Sequence, residues 1–229
     1  MTTTLITGAN RGLGLEFARQ LTRAGQTVIG TARDPGAAAD LRATGARVEQ
    51  LDAADEESAS ALAERLAGEP IDVLINNAGV FPDHGAGSFL QTTGDQLLTG
   101  YRVNVLGPLF VTRALLPHIE RSDRRLVVQI TSEMGSIAGA RSSNARGNLA
   151  YRSSKSALNM VNALMAPELA DRRVTSIVLH PGWVKTDMGG SNAPLTPDAA
   201  IGSMLALIDR LTPDDAGKFF SYNGSELPW

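Results

Sequence analysis

Two side chains define the chemistry available to this sequence. Tyr151 and Lys155 stand four residues apart in Tyr151-Arg152-Ser153-Ser154-Lys155, at the start of a long Ala/Leu/Met-rich stretch over 149–169. Residues four apart share a helix face, so the phenol and the ammonium can be neighbours. A free phenol has a pKa of about 10, too high for acid–base work near neutrality, and an adjacent positive charge lowers it. Such a group can give a proton to a carbonyl oxygen or take one from an alcohol. The spacing is common, however, and alone it describes an ordinary surface pair. Ser132 adds a hydroxyl directly after the apolar run 126–131. Ligands of open α/β sheets bind at such strand ends, where a hydroxyl can meet a substrate oxygen as charge develops on it.

A second cluster can bind phosphate. The first apolar run ends in Thr7-Gly8-Ala9-Asn10-Arg11-Gly12-Leu13-Gly14, and a helical pattern follows at once. Residues without Cβ allow a tight turn and close backbone approach, and the helix N-terminus offers free N–H groups to a pyrophosphate. The spacing Gly-x-x-x-Gly-x-Gly differs from the Gly-x-Gly-x-x-Gly dinucleotide fingerprint, so position after the first strand carries the argument. The second strand ends at Ala32-Arg33, where an acidic residue would bind the ribose 2′-hydroxyl of NAD and an arginine suits the 2′-phosphate of NADP. With Arg11 in the glycine loop, two guanidinium groups can flank one phosphate, which favours NADP(H) over NAD(H). Asp34 complicates this, because it can pair with Arg33 or repel the phosphate.

These residues need a sheet to position them. Short β-rich runs at 3–7, 27–32, 47–51, 73–76, 125–131, 174–179 and 217–220 read as strands. Most are continuous rather than alternating, as in parallel strands covered on both faces. Amphipathic stretches lie between them, at 13–24 (Leu13, Phe17, Leu21 and Ala24 on one face), 58–66 and 149–169. The repetition predicts an α/β fold, a doubly wound parallel sheet of about seven strands with helices on both faces. No linker, repeat or low-complexity segment interrupts it, so 1–229 reads as one domain; 36–39 and 142–148 read as loops, the latter a mobile excursion.

Composition narrows the class. The chain has 229 residues, 43% apolar, with a formal net charge of −3 and no cysteine. Length and apolar content suit one core, and the charge gives no basic footprint for nucleic acid. Disulfides and thiolate chemistry are excluded. His84, His118 and His180 are scattered, so no metal site is expected, and the acidic run Asp52, Asp55, Glu56, Glu57 reads as a helix N-terminal charge cluster. No signal peptide and no apolar run of membrane-spanning length is seen, so a cytoplasmic protein without membrane partners is expected.

Taken in order, the pieces resemble the short-chain dehydrogenase/reductase family over essentially the full length: TGANRGLG from Thr7, Asp52 after the third strand, NNAG at 76–79, Asn104 in YRVNVLGP, Ser132 in ITSEMGS, the Tyr151/Lys155 pair, and HPGWVKTDM from His180. Pro181-Gly182-Trp183-Val184 and the segment 217–229 resemble, more loosely, the C-factor and sniffer-like carbonyl reductase branch. The resemblance implies a single-domain Rossmann fold and roles residue by residue. Gly8, Asn10, Arg11, Gly12, Leu13 and Gly14 would hold the diphosphate and adenosine ribose. Asp52 would meet the adenine amino group with Ala53 beside it, and Asn77, Ala78 and Gly79 would line the adenosine side of the cleft. Tyr151 would be the acid/base, Lys155 would lower its pKa and bind the nicotinamide ribose, Ser132 would orient the carbonyl oxygen, and Asn104 would anchor a proton-relaying water. Pro181, Gly182, Val184 and Thr186 would seat the nicotinamide.

The expected activity is therefore hydride transfer between NADP(H) and a small carbonyl or alcohol substrate, with reduction of a ketone or aldehyde favoured. Phe81, Met134, Ile137, Trp183 and Met188 are candidate pocket residues, each equally readable as core. The segment 187–196 is expected to form a substrate lid hinged at Gly189-Gly190. The family implies a homodimer through the helices around 101–120 and 149–170, with a tetramer as the alternative. Two other readings stand beside the reductase: a non-catalytic NADP(H)-binding regulatory or signalling protein, and a lyase or epimerase that uses the cofactor without net redox change.

Overall fold

In the computed structural model, which describes residues 2–229, the apolar runs become one sheet. Its strands are β1 (Thr3–Ile6), β2 (Thr27–Ala32), β3 (Arg47–Gln50), β4 (Val73–Asn76), β5 (Leu126–Ile130), β6 (Thr175–His180) and β7 (Phe219–Ser221). They lie in the order β3-β2-β1-β4-β5-β6-β7, and every neighbouring pair is parallel. The helices are α1 (Gly12–Arg23), α2 (Ala39–Ala43), α3 (Glu56–Arg65), α4 (Gly94–Tyr101), α5 (Gly107–Glu120), α6 (Ile137–Ser142), α7 (Leu149–Asp171) and α8 (Pro197–Arg210). This is the doubly wound Rossmann architecture that the strand–helix repetition predicts.

Side-chain alternation explains why the strands read as continuous apolar runs. Ile6, Val28, Ile75, Val128, Ile177 and Leu179 pack on one side with Phe17 and Leu21 of α1 and Met204 and Leu207 of α8. Leu5, Ile29, Leu74 and Val127 point to the other side, against Leu62 of α3, Leu115 of α5 and Leu169 of α7. With a core on each face, both strand parities must be apolar. Among the buried polar exceptions, Asn76 donates to Thr112 Oγ1 at 3.0 Å and Gln129 Nε2 to the same oxygen at 3.4 Å, while Gln129 Oε1 is left without a partner among the described residues.

Two elements differ from the sequence reading in a way that matters for the site. The stretch before α5 is not uniform helix: Arg102–Leu106 forms a π-helical turn between α4 and α5, with Asn104 at its centre and completely buried. Pro108 has no N–H, so the donor that an α-helical Asn104 carbonyl would use is missing, which favours the wider turn. Loop 142–148 is shorter than expected, because α6 extends to Ser142.

All strands point their C-terminal ends to the same edge. The chain winds outward in both directions from β1 and β4, so a crevice opens between the ends of these two strands. Thr7 closes its floor. The Thr7 hydroxyl, 1% exposed, accepts from the backbone N–H groups of both Asn77 and Ala78 at 3.0 Å. Thr7→Val keeps the shape and strands these donors, so it should cost about 2 kcal/mol of unfolding free energy. Chemical denaturation of the two proteins measures this; an unchanged midpoint would show that the crevice does not depend on the hydroxyl.

Candidate active site

The glycine loop joins β1 to α1 at the crevice. Gly8 adopts a left-handed φ of 64°, and a Cβ on Gly14 would lie 2.4 Å from the Gly8 carbonyl oxygen and 2.6 Å from Asn77 Nδ2. Only a residue without Cβ lets α1 begin this close to the loop. Arg11 is the N-cap of α1 and makes no side-chain cap bond, so a full-length helix turns an uncapped N-terminus into the crevice. Asn10, Arg11 and Gly12 are exposed there, and Leu13 is half-buried. This cradle fits a diphosphate: bare backbone, a positive helix end and an arginine.

Arg33 is exposed at the end of β2 and joins no ion pair among the described residues. Asp34 neither pairs with it nor turns toward it by hydrogen bonding; its Oδ1 accepts from the Gly36 N–H at 2.8 Å and shapes the loop. Arg11 pairs with Asp187 at 3.3 Å, both side chains largely exposed. Such a pair contributes at most about 1 kcal/mol, so Arg11 remains available to a more highly charged partner. Asp52 lies half-buried after β3, its N–H donating to Ser58 Oγ at 2.9 Å, with Ala53 buried beside it. Asn77 reaches back to the Thr7 and Gly8 carbonyls at 3.0 and 3.2 Å, and half-buried Ala78 and Gly79 complete that wall. Asp55 caps α3 through the Glu57 N–H, so the acidic run is a helix start as read from the sequence.

Further along the edge, Tyr151, Lys155, Ser132 and Asn104 converge, each at most 8% exposed. Lys155 Nζ donates to the Ile130 carbonyl at 2.9 Å and lies 5.8 Å from the centre of the Tyr151 ring. Asn104 is held at both ends of its amide: Oδ1 accepts from Val80 N–H at 2.9 Å, and Nδ2 donates to the Val80 carbonyl and to Ser154 Oγ, each at 2.9 Å. A Cβ on Gly79 would sit 3.3 Å from Asn104 Oδ1 and 3.7 Å from Lys155 Nζ, so the wall formed by residues 77–79 and the polar cluster meet at this glycine. Ser132 Oγ accepts from the Met134 N–H at 3.1 Å, which fixes the hydroxyl at the end of β5.

Burial dominates the electrostatics. It pushes the Tyr151 phenol up to about 12, and a hydrogen bond with Ser132 opposes the rise. It pushes the Lys155 ammonium down to about 8. The phenol therefore moves opposite to the direction the Tyr/Lys spacing predicts, because burial disfavours the phenolate more than the Ser132 hydrogen bond favours it. The phenol stays protonated at neutral pH, which is the state a proton donor needs.

The candidate pocket residues divide. Phe81 stacks on Tyr151 with ring centres 4.0 Å apart and 18° between planes, so it belongs to the site. Met134 is half-buried beside Ser132, whereas Ile137, Trp183 and Met188 are exposed. Trp183 donates through Nε1 to the Gly189 carbonyl at 2.7 Å. Val184 is buried, Pro181 and Gly182 are half-buried, and Thr186 Oγ1 accepts from the Gly189 N–H at 3.1 Å. The 187–196 segment is thus tied at its base, with Val184 bridged to Leu195 and Ala193 buried. Gly189 is engaged by Trp183 and Thr186, and Gly190, at φ 77° with open space where a Cβ would lie, donates its N–H to the Thr186 carbonyl at 2.8 Å, so both hinge candidates are tied to Thr186. Sequence reasoning missed Thr7 and Asp83; only their distant partners, Ala78 and Tyr151 among them, reveal a role.

A family model described as short chain dehydrogenase matches residues 2–195. The chain is 41% identical over 173 residues to C-signal of Myxococcus xanthus, covering 74% of this chain and 99% of that protein. Its structure is similar to carbonyl reductase Sniffer of D. melanogaster, with a TM-score of 0.92, 30% identity and full coverage of both chains. An NADPH-bound carbonyl reductase from chicken fatty liver gives a TM-score of 0.91 at 31% identity, covering 100% of this chain and 99% of that one.

The shifted pair makes stability depend on pH. Lys155 has a folded pKa below its usual 10.5, so its stabilising contribution is complete above about 10.5 and is lost as pH falls through about 8. The full change is roughly 3 kcal/mol. Tyr151, raised above 10, contributes stability that is complete below pH 10 and lost as pH climbs through about 12. Lys155→Met should abolish the rise in unfolding free energy between pH 8 and 10. Denaturation at a series of pH values checks this, and an identical slope in both proteins would contradict the burial argument.

Proposed function

The chain belongs to the short-chain dehydrogenase family and is a hydride-transfer oxidoreductase, and from that premise we propose that it reduces ketones or aldehydes with NADPH. The observation that carries the proposal is the convergence of a buried phenol, a buried ammonium, a fixed hydroxyl and a clamped amide at the C-terminal end of β5. The whole of 1–229 acts as one cofactor-binding and catalytic unit, and 187–196 is its lid.

In this reading the nicotinamide, once bound, supplies the hydride to the carbonyl carbon. The chain's own residues do the rest. Ser132 donates a hydrogen bond to the carbonyl oxygen and orients it. Tyr151 gives that oxygen its proton, and Lys155, at the phenol's ring, favours the phenolate that remains. Asn104, rigid in its π turn, supports the path that returns a proton through Lys155. Gly8, Asn10, Arg11, Gly12, Leu13 and Gly14 hold the diphosphate; Asp52, Ala53, Asn77, Ala78 and Gly79 hold the adenosine end; Pro181, Gly182, Val184 and Thr186 hold the nicotinamide end. Arg11 and Arg33, the latter in no ion pair among the described residues, support a 2′-phosphate, hence NADP(H) rather than NAD(H). Phe81, Met134, Trp183 and Met188 suit an apolar carbonyl substrate.

The protein is a cytoplasmic homodimer in this proposal. No helix among the described residues is long and apolar enough to cross a membrane. Leu98 and Tyr101 of α4 and Met160 and Leu164 of α7 are large apolar side chains left exposed, which supports pairing through these helices. A second reading rests on the likeness to C-signal: a regulatory protein that binds NADP(H) without turning it over.

Tyr151→Phe should bind NADPH as the unsubstituted protein does and lose at least about 100-fold in kcat, followed as loss of reduced-nicotinamide absorbance with a panel of ketones, aldehydes and quinones. Near-normal turnover would refute the assignment of Tyr151. Tight NADPH binding with no turnover on any carbonyl in the unsubstituted protein would favour the regulatory reading. Arg33→Ala should raise KM for NADPH about tenfold while leaving that for NADH unchanged; parallel changes for both cofactors would remove Arg33 from the 2′-phosphate site.

A further inference from the structure

We propose that Asp83 is a positioning residue for Tyr151: its buried carboxylate caps α7 from outside the helix and fixes the residue that carries the phenol. This rests on the reading of Tyr151 as the proton-handling group. The long helix begins without help from its own N-cap. Asn148 occupies that position at φ 51° and ψ 41°, makes no side-chain cap bond, and the first turn has no acidic residue. The cap instead comes from 67 and 68 residues earlier, where Asp83 Oδ2 accepts from the Ala150 N–H at 2.7 Å and Oδ1 from the Tyr151 N–H at 3.1 Å. Asp83 is only 2% exposed.

Both oxygens are used in the manner a carboxylate favours at a helix start, with charge-assisted bonds to N–H groups that carry the positive end of the helix dipole. The carboxylate is itself held, since Thr92 Oγ1 donates to Oδ2 at 3.1 Å. The neighbouring backbone is held too. The Pro82 carbonyl accepts from Gln96 Nε2 at 3.0 Å, and the Ala86 carbonyl accepts from the Asn148 N–H at 2.8 Å. A Cβ on Gly147 would lie 2.0 Å from the Ala86 oxygen, so the two segments meet with no room for a side chain. Two residues before Asp83, Phe81 stacks on the Tyr151 ring. One short segment after β4 therefore grips Tyr151 twice, at its backbone and at its ring.

A cap on Ala150 alone would steady the helix. The bond to Tyr151 itself does more, because rotation of the first turn carries the phenol with it. A displacement of about 1 Å can cost on the order of 100-fold in rate.

The test compares Asp83→Ala and Asp83→Asn with the unsubstituted protein by amide hydrogen exchange across α7 and by steady-state kinetics with NADPH and a carbonyl. In Asp83→Ala, exchange at Ala150 and Tyr151 should quicken at least tenfold, and kcat should fall about 100-fold with KM and NADPH affinity nearly unchanged. Asp83→Asn keeps one acceptor oxygen and should recover part of kcat; it also serves as the readout if the alanine variant does not fold. Unchanged kcat in a folded variant, or exchange at Ala150 and Tyr151 no faster than before, would overturn the proposal. If the unsubstituted protein reduces no carbonyl, the reductase reading falls, and exchange rates still decide whether Asp83 holds Tyr151.

Discussion

Lys155 sets the constraint on which the rest of the site depends. An ammonium removed from water must be met by groups that do not move, because an unpaired buried charge is costly. It is 5% exposed and donates to the Ile130 carbonyl, the last residue of β5. That bond ties α7 to the end of the strand from which Ser132 follows. The phenol one turn earlier on the same helix is thereby placed against the same strand end. The raised phenol and the lowered ammonium are consequences of this burial.

The helix is held in rotation as well as in place. Lys155, Asn159 and Asn162 form one stripe, all at most 5% exposed. Asn159 accepts from Thr131 Oγ1 at 2.6 Å after β5, and Asn162 from Ser176 Oγ at 2.5 Å on β6. Ser154 joins α7 to the π turn through Asn104. Each bond contributes only about 1 kcal/mol net, less than burying a leucine in its place. An apolar stripe could slide; directional partners allow one register, which fixes the phenol that the first turn of the helix carries.

The glycine-loop side of the crevice is built differently. It depends on backbone, tight at Gly8 and Gly14, and on exposed arginines with weak or no partners. The base of segment 187–196 is tied through Thr186 and Trp183, while Arg11 reaches Asp187 across solvent. Buried directional bonds cluster around Tyr151 and Lys155, and an exposed, solvent-screened ion pair lies beside the glycine loop.

The sequence by itself determined most of the sheet, since strands covered on both faces need apolar residues at both parities; the edge strand β3, with Arg47, Glu49 and Gln50, is the exception. Strands β2 and β4 fall where the apolar runs place them, and others differ at their ends by one or two residues, where local pattern gives way to hydrogen bonding. It also marked the glycine loop and the Tyr151/Lys155 pair, because both are local arrangements that a turn or a helix brings together. Tertiary structure alone decided the direction of the two pKa shifts, because desolvation depends on what covers a group, not on its neighbours in sequence. It decided that Asn104 sits in a π turn. It gave the cap of α7 to Asp83 and not to Asn148, whose residue type suits a cap but whose left-handed backbone leaves it without a side-chain cap bond. Partners almost seventy residues apart carry no signal in a local window; only the folded sheet brings the segment after β4 to the start of α7.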